Sequence, residues 1–233
     1  MTAQEILAEL KPLGAEGYKA ILLRHGAHEP CYGVKIEYLK KIQKRTKMDH
    51  TLALALYDTG VYDAMYLAGL IVDDAQMTKK DFARWAATAS EPLTRTVAAV
   101  AAGHPQAWPL ALEWIDSKKE RLAAIGWTTL SLWVSITPDT ALDLRALQAL
   151  LGRVVKEIHS APNEVRNHMN LFVISIGCYV GPLTALAKKT GQTIGKVTVD
   201  IGDTSCEVPY SPDYIAKVEK RGAIGKKRAT AKC

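Results

Sequence analysis

The 233-residue chain lacks the sequence features of several large protein classes. Its four cysteines, Cys31, Cys178, Cys206 and Cys233, have no paired spacing, so the sequence predicts reduced thiols instead of a disulfide framework or a CxxC zinc site. The longest apolar run, Leu171 to Val180, is far shorter than the ~18 residues that indicate a membrane-spanning helix. The first residues also lack the basic and apolar segments of a signal peptide. We therefore expect a cytoplasmic globular protein without a membrane partner.

Net charge is unevenly distributed along the chain. The 30 Lys and Arg residues exceed the 24 Asp and Glu residues by six, giving a net charge of +6. Residues Ala216 to Cys233 contain seven Lys or Arg residues and one acid, Glu219, so this tail accounts for the whole excess. Attraction to a polyanion is thus concentrated in the tail and in local patches. The terminal stretch from Gly225 to Cys233 is polar and contains glycine, and we expect it to be mobile.

Apolar residues recur at helical spacing along most of the chain, and turn signals interrupt them every ten to twenty residues. Thr78 is placed to cap one helix, and Asn163 follows Pro162 at the start of another. A further short helix is predicted near Pro212 to Lys220. The other predicted helices lie near residues 3 to 11, 15 to 25, 34 to 47, 50 to 58, 61 to 73, 78 to 89, 92 to 103, 105 to 116, 119 to 135, 138 to 158, 163 to 179 and 181 to 192.

Paired helices of this length in series are typical of HEAT-like solenoids, in which each pair needs its neighbour to bury its apolar face. The sequence therefore predicts an all-α fold, a HEAT-like α-solenoid of antiparallel helical hairpins, over residues 1 to 194. After Gly195 the alternating stretch Lys-Val-Thr-Val-Asp-Ile-Gly-Asp predicts a short extended arm that packs back on the solenoid. Residues 195 to 233 then comprise this arm, the short helix and the basic tail of the same domain. We expect a monomer.

The segment from Lys118 to Ile136 has two distinct faces. One side carries apolar residues, and the other carries Arg121, Ala124, Thr128, Ser131 and Ser135. We expect the first side to face the core and the second to be a small, polar face. Over this helix and the helix that begins at Asn163, the residues predicted to be buried are Leu122, Ile125, Leu132, Val165, Met169, Phe172 and Ile176.

Four internal segments form a recognisable series, namely Tyr32-Gly-Val-Lys-Ile-Glu-Tyr-Leu-Lys-Lys-Ile, Leu56-Tyr-Asp-Thr-Gly-Val-Tyr-Asp-Ala-Met-Tyr-Leu-Ala, Gly103-His-Pro and Glu120-Arg-Leu-Ala-Ala-Ile. In this order they resemble the AlkD-like family of DNA alkylation repair proteins. The last resembles a family helix that carries an Arg, which falls on Arg121 here. The resemblance spans roughly residues 15 to 190 and depends on the order of these weak motifs. The segments that begin at Ile194 and at Ile224 resemble the tail of an AlkD-like subgroup.

This resemblance implies a curved solenoid whose positively charged concave face holds duplex DNA by its backbone. Active members of the family excise positively charged alkylpurines with an Asp and Trp rings beside the lesion. A carboxylate suits this chemistry, because loss of the base leaves an oxocarbenium-like sugar that a negative charge stabilises. No cofactor and no metal are implied.

The sequence departs from this pattern where the acid is expected. The family's helix corresponds to Ser90-Glu-Pro-Leu-Thr-Arg-Thr-Val, and the position of its Asp falls on Thr94, Thr96 or Val97. None of these side chains carries a negative charge. The sequence therefore yields no catalytic residue and predicts weak base excision at best.

The aromatic residues of the family's site are also missing from their expected positions. The Trp pair falls on Pro92 and Leu93, and a later Trp aligns near Leu171. Glu91 and Trp85 could replace the missing groups only if the local geometry is shifted. The sequence therefore does not decide whether the protein is an enzyme.

Two helical segments offer contacts for DNA phosphates. The helix from Val34 carries Lys35, Lys40, Lys41, Lys44, Arg45 and Lys47 against Glu37, and such a strip would give sequence-independent, salt-sensitive affinity. Alternatively, these basic side chains form a solvated outer face of the helix. Asn163, Asn167 and Asn170 share one face of a later helix with Arg166, where they could bind phosphate or sugar or bond the carbonyls of neighbouring helices. The residues predicted to bind DNA are Lys40, Lys44, Arg121, Arg166, Asn167, Asn170, Lys226, Lys227 and Arg228.

Other candidate residues point to structure more than to chemistry. His25, His28 and Cys31 have ligand chemistry but no evident fourth partner, which disfavours a structural zinc site. The tryptophans Trp108, Trp114, Trp127 and Trp133 suit core packing better than base stacking. No metal ligand set and no nucleophile with a paired base is predicted.

The sequence thus predicts a DNA-binding protein of the DNA alkylation repair family, which contacts the backbone and shape of duplex or damaged DNA. One alternative is an active alkylpurine DNA glycosylase whose catalytic residues have moved. The other is a protein-binding helical scaffold, which the neutral charge of residues 1 to 215 permits.

Overall fold

The computed structural model describes residues 1 to 202, 204 and 206 to 232, and this part of the chain is helical without β-strands. It divides into two compact units. Among the described residues, the first unit contains 1 to 105, 202, 204 and 232, and the second contains 106 to 201 and 206 to 231. Cys233, which the sequence predicts to be a reduced thiol, lies outside the described residues.

The first unit contains seven α-helices among its described residues. They are α1 (Ala3–Leu10), α2 (Glu16–Arg24), α3 (Ile36–Thr46), α4 (His50–Tyr57), α5 (Tyr62–Ile71), α6 (Lys79–Thr88) and α7 (Glu91–Gly103), with 3₁₀ turns at Lys11–Leu13 and Asp74–Gln76. The N-cap predicted at Thr78 is confirmed, because its hydroxyl accepts a hydrogen bond from Asp81 N. Helix α5 packs against α3, α4 and α7 and is the central element of this unit.

Asp63 is a buried carboxylate that fixes the start of α5. Its oxygens accept hydrogen bonds from Tyr32 N at 2.6 Å and Val34 N at 2.7 Å. Because a buried charge must be compensated by hydrogen bonds, these contacts hold the loop before α3 against α5. The same loop therefore positions the first residues of the basic helix.

The second unit contains six α-helices among its described residues. They are α8 (Ala107–Ile115), α9 (Glu120–Ile136), α10 (Leu144–Glu157), α11 (Asn163–Tyr179), α12 (Thr184–Ile194) and α13 (Ser211–Lys220), with 3₁₀ turns at Asp139–Ala141 and Gly181–Leu183. The start of α11 at Asn163 confirms the prediction. The single helix predicted over 138 to 158 was wrong, because the 3₁₀ turn Asp139–Ala141 is separated from α10. The helix predicted over 181 to 192 is present as a 3₁₀ turn that continues directly into α12. Asp143 accepts a hydrogen bond from Ala146 N and so begins α10 anew.

Helices α9 and α11 form the centre of the second unit. Trp127 and Phe172 meet there with ring centroids 5.2 Å apart. Of the residues predicted to be buried in these two helices, all but Leu122 are confirmed. Leu122 is only half-buried, because it lies in the first turn of α9, next to the exposed Glu120.

The small, polar face expected on α9 is itself buried. Thr128, Ser131 and Ser135 are each less than a tenth exposed, and their hydroxyls donate to carbonyls of their own helix. The Thr128 hydroxyl also lies 2.8 Å from His168 Nδ1 on α11. This face is small and polar, as predicted, but it lies in the interior, because small side chains permit close helix packing.

The segment after Gly195, which the sequence predicts to be an extended arm, is neither helix nor strand in its described residues up to Pro209, and it packs on α11. Asn163 donates to Asp200 O at 2.7 Å and accepts from Asp200 N at 2.8 Å. Arg166 donates to Thr198 O, and Asn170 donates to Pro209 O. The arm uses side-chain partners in place of strand pairing among the described residues.

The tail expected to be mobile is instead held by specific contacts. In the second unit, Gly225 N donates to Cys178 O at 2.9 Å and Arg228 N donates to Ser135 O at 2.8 Å. Lys227 Nζ lies 2.8 Å from Asp139 Oδ1, and Ala231 is 3% exposed. The charge and glycine content of the tail predicted mobility, which was wrong. Backbone hydrogen bonds and the burial of Ala231 hold the tail in place.

Among the described residues, no single helix is both long and apolar enough to cross a membrane. The consecutive helical segments Asn163–Tyr179 and Gly181–Ile194 reach that threshold only when taken together, by length and composition, and they are bent by 116°.

Candidate functional site

The first unit has a surface depression lined mainly by basic side chains. It is lined by Lys40, Gln43, Lys44, Lys47, Met48, Leu70, Val72 and Lys232, and we call it the lysine hollow. Four of these residues are cations, and the described lining contains no carboxylate. Such a surface attracts anions and favours phosphate oxygens in particular.

The amphipathic pattern of α3 places two of these cations on one face. Leu39 and Ile42 are buried and fix the rotation of the helix, which leaves Lys40 and Lys44 exposed at positions i and i+4. Gln43, between them, donates from Nε2 to Leu70 O at 3.3 Å. This bond ties the basic face of α3 to the end of α5.

The cations of α3, together with Lys47 at its C-terminal end, differ in whether another side chain of the protein neutralises their charge. Arg45 pairs with Glu9, and the Lys41 ammonium lies 4.9 Å from the ring centroid of Tyr38. Lys40, Lys44 and Lys47 have no ion pair within the part of the chain that the structure describes. Their charge is therefore available to a ligand. The sequence prediction for Lys40 and Lys44 remains untested, but both occupy this hollow.

Lys232 contributes the fourth cation from a distant part of the sequence. Its Nζ lies 2.8 Å from Asp74 Oδ1 and 2.7 Å from Val72 O. Burial raises the pKa of Asp74, and the nearby ammonium opposes that shift. The charge of Lys232 is thus partly neutralised by Asp74. Its contacts with Asp74 and Val72 hold it at the edge of the lysine hollow. Sequence reasoning missed this position because it treated the tail as mobile.

A second, narrower hollow lies between α5 and α7 in the same unit. It is lined by Tyr66, Gly69, Leu70, Pro92, Arg95, Thr96, Ala99 and Lys232. It shares Leu70 and Lys232 with the lysine hollow, so the two are adjacent. Arg95 is exposed, and this described lining also lacks a carboxylate.

This narrow hollow includes part of the segment where the family's acid was expected. Thr94 and Val97 are buried at 1% and 0% exposure, so neither reaches solvent. Thr96 is half-buried and lines the hollow beside Arg95. A cation, Arg95, therefore lies next to the positions where the family's carboxylate would stabilise an oxocarbenium-like sugar.

Trp85 and Glu91 were considered as replacements for the family's catalytic groups, and neither lines the narrow hollow. Trp85 is fully buried and stacks on Tyr57 with ring centroids 3.9 Å apart and planes 5° apart. Glu91 is exposed in the first turn of α7. Since Trp85 cannot contact a base without unfolding its surroundings, the structure provides no aromatic cradle from this residue.

Three of the residues predicted to bind DNA on α9 and α11, namely Arg121, Arg166 and Asn170, have intramolecular partners. Arg121 pairs with Glu164 at 2.6 Å, and Arg166 donates to Ala161 O as well as to the arm. Asn170 is 1% exposed, whereas Asn167 is half-buried. The amide stripe on α11 thus holds the arm, which supports the structural interpretation for Asn163 and Asn170. A role of these residues in DNA binding is not tested.

The three predicted tail residues differ from one another. Lys226 is exposed, whereas Lys227 donates to Val134 O at 2.9 Å and pairs with Asp139. Arg228 is half-buried, and its backbone is fixed by Ser135. Lys226 is therefore the most accessible of the three.

The other candidates serve packing. His28 Nε2 lies 3.1 Å from Gly60 O, and burial raises the pKa of Cys31 to about 11. No group of three or more His, Cys, Asp or Glu side chains within the described ranges could hold a metal ion. Trp114 and Trp127 are buried, as predicted, whereas Trp108 and Trp133 are half-buried and contact each other.

The helical hairpins and the cationic hollows define a HEAT-like helical-repeat protein. The family model described as DNA alkylation repair enzyme matches residues 6 to 190, and the chain belongs to this AlkD-like family. A solved structure described as a new family of proteins related to the HEAT-like repeat DNA glycosylases, with affinity for branched DNA structures, is 32% identical. It matches over 100% of both chains with a TM-score of 0.93.

Two curated relatives from Listeria are similar over almost their whole length. The uncharacterized protein Lin0241 of Listeria innocua is 31% identical over 228 residues, which cover 95% of this chain and 99% of the relative. The uncharacterized protein Lmo0209 of Listeria monocytogenes is 29% identical with the same coverage. The similarity to these relatives therefore extends beyond residues 6 to 190, which the family model matches.

Proposed function

We propose that this protein binds DNA through its phosphate backbone, that branched DNA is its preferred form, and that base excision is not its main activity. The observation that carries the proposal is the lysine hollow. Lys40, Lys44 and Lys47 face solvent there without ion pairs within the described residues. A set of uncompensated cations on one surface gives affinity that does not depend on base sequence.

The preference for branched DNA is supported by the description of the similar solved structure, whose protein has affinity for branched DNA structures. Charge in the narrow hollow supports backbone binding and the proposal that base excision is not the main activity. Arg95 and Lys232 would repel a positively charged alkylpurine and attract a phosphate. Backbone recognition also needs no catalytic carboxylate, which agrees with Thr94, Thr96 and Val97 at the family's acid position.

The test measures the affinity of the purified protein for a synthetic three-way junction and for a duplex of matching sequence over a range of salt concentrations. The double variant Lys40→Ala and Lys44→Ala should weaken binding to both, and the slope of log affinity against log salt should fall by ~0.9 per lost duplex contact. The matched control is Lys35→Ala with Lys41→Ala, which removes the same charge from nearby exposed positions outside the hollow.

Two results would contradict the proposal. Equal losses in the two double variants would mean that net charge acts without a defined site. Failure of the unmodified protein to bind either DNA would favour a protein-binding scaffold.

A further inference from the structure

Met48, at the edge of the lysine hollow, is an unusually exposed apolar residue. It is 67% exposed, the highest value among the large hydrophobic side chains of the described residues. Single exposed apolar residues are common on protein surfaces, so exposure alone assigns no role. Its position and its backbone setting distinguish Met48.

The backbone next to Met48 is strained. Lys47 has φ 58° and ψ −145°, and it is the only residue other than glycine with a positive φ in the described part of the chain. A side chain rarely adopts this region, and such strain persists only where the surroundings fix it. Strained residues of this kind are concentrated at binding and catalytic sites.

Hydrogen bonds hold this turn from both sides. Lys47 N donates to Gln43 O at 2.7 Å, and Asp49 N donates to Ile71 O at 2.9 Å. Asp49 also accepts from Leu52 N at 3.0 Å and so begins α4. Met48 is therefore presented to solvent by a fixed turn, which lowers the entropic cost of a contact made by its side chain.

The surroundings of Met48 indicate the chemistry of its partner. Lys40, Lys44 and Lys47 line the same hollow, and the other apolar lining residues, Leu70 and Val72, are buried at 7% and 0% exposure. The site thus offers one accessible apolar side chain within a group of cations. A nucleic acid matches this arrangement, because it combines phosphates with flat apolar base faces. A protein interface would instead have a core depleted of charged residues such as lysine.

We propose that Met48 is a wedge that contacts base faces exposed at the branch point of a DNA junction, while the neighbouring lysines contact the flanking phosphates. Apolar side chains, methionine included, insert between base steps in other DNA complexes. A continuous duplex has no open base face, so this contact favours the junction over the duplex. The inference rests on the proposed function and assigns its preference for branched DNA to one residue.

The experiment compares Met48→Ala with the unmodified protein on a three-way junction and on the matching duplex. We expect junction affinity to fall about fivefold and duplex affinity to stay unchanged, as for the loss of one apolar base contact. Met48→Leu should retain most of the preference, since leucine also serves as a wedge. Ile21→Ala on α2 is the matched control, because Ile21 is 41% exposed and lies outside the hollow.

A junction with 2-aminopurine at the branch point provides a second readout. The unmodified protein should change its fluorescence by altering base stacking, and Met48→Ala should reduce that change at saturating protein. Unchanged junction affinity, an equal loss on junction and duplex, or an undiminished fluorescence change would each overturn the wedge. If the unmodified protein binds neither DNA, the proposed function fails first, and that result is distinct from a failure of Met48 alone.

Discussion

The ammonium of Lys232 lies 2.8 Å from the Asp74 carboxylate, so a residue near the end of the sequence pairs with the 3₁₀ turn before α6. Gly103 makes room for this pair. A Cβ atom at Gly103 would collide with the Asp74 carboxylate, so the glycine of the Gly103-His-Pro motif has a packing reason. Val72 O accepts a second hydrogen bond from Lys232 and fixes the direction of its side chain. The ion pair with Asp74 thus fixes Lys232 at the edge of the lysine hollow.

Deleting the chain after Gly222 should destabilise the protein, contrary to the expectation for a mobile tail. The deletion removes the bonds of Gly225, Lys227, Arg228 and Lys232. At about 1 kcal/mol for each of these four net hydrogen bonds, the free energy of unfolding should fall by roughly 4 kcal/mol. Denaturant titration measures this loss. Lys226→Ala is the control, because Lys226 is exposed, and an unaltered midpoint for the deletion would contradict the tail contacts.

Lys47→Gly should stabilise the protein although it removes a side chain. Glycine adopts a positive φ without steric conflict, so the variant relieves strain of ~1 to 3 kcal/mol. It adds an entropic cost of roughly 0.5 to 1 kcal/mol, and the expected net gain is about 1 kcal/mol. Lys47→Ala is the control, since it removes the same charge and keeps the strain. Equal unfolding free energies for both variants would argue against the strained turn.

Base excision should be absent or weak on duplex DNA that contains a positively charged alkylpurine. Thr94, Thr96 and Val97 cannot hold a negative charge beside a developing cation, and Arg95 would oppose that cation. A base-release assay measures the activity. Strong release that is lost in Glu91→Gln would revive the alternative of a relocated site, whereas strong release that survives it would mean that another acid acts.

Phe172→Ala should lower the free energy of unfolding by about 3 to 5 kcal/mol. Phe172 is 0% exposed, and its ring meets Trp127 between α9 and α11. The truncation leaves a cavity that the surrounding helices can fill only in part. Leu122→Ala provides the comparison, because Leu122 lies on the same helix pair but is half-buried and should cost less. Similar losses for the two variants would contradict this description of the core.

The sequence by itself determined most of the helices, because their stabilisation depends on local patterns. Apolar spacing predicted α11 from Asn163, and the capping residue Thr78 predicted the start of α6. The same periodicity identified Phe172 and Met169 as core residues. It also placed Lys40 and Lys44 on one exposed face, since positions four apart in a helix are neighbours.

Only the tertiary structure decided which polar groups are already satisfied. Asn163 and Asn170 could equally have bound DNA or the chain itself, and the arm that pairs with them lies about 37 to 39 residues further along the sequence. Lys232 pairs with Asp74 across 160 residues or so, a contact that no local pattern encodes. The exposure of Met48 likewise depends on the fixed turn at Lys47. Local periodicity determines helices, whereas the availability of a charge or an apolar side chain depends on partners brought together by folding.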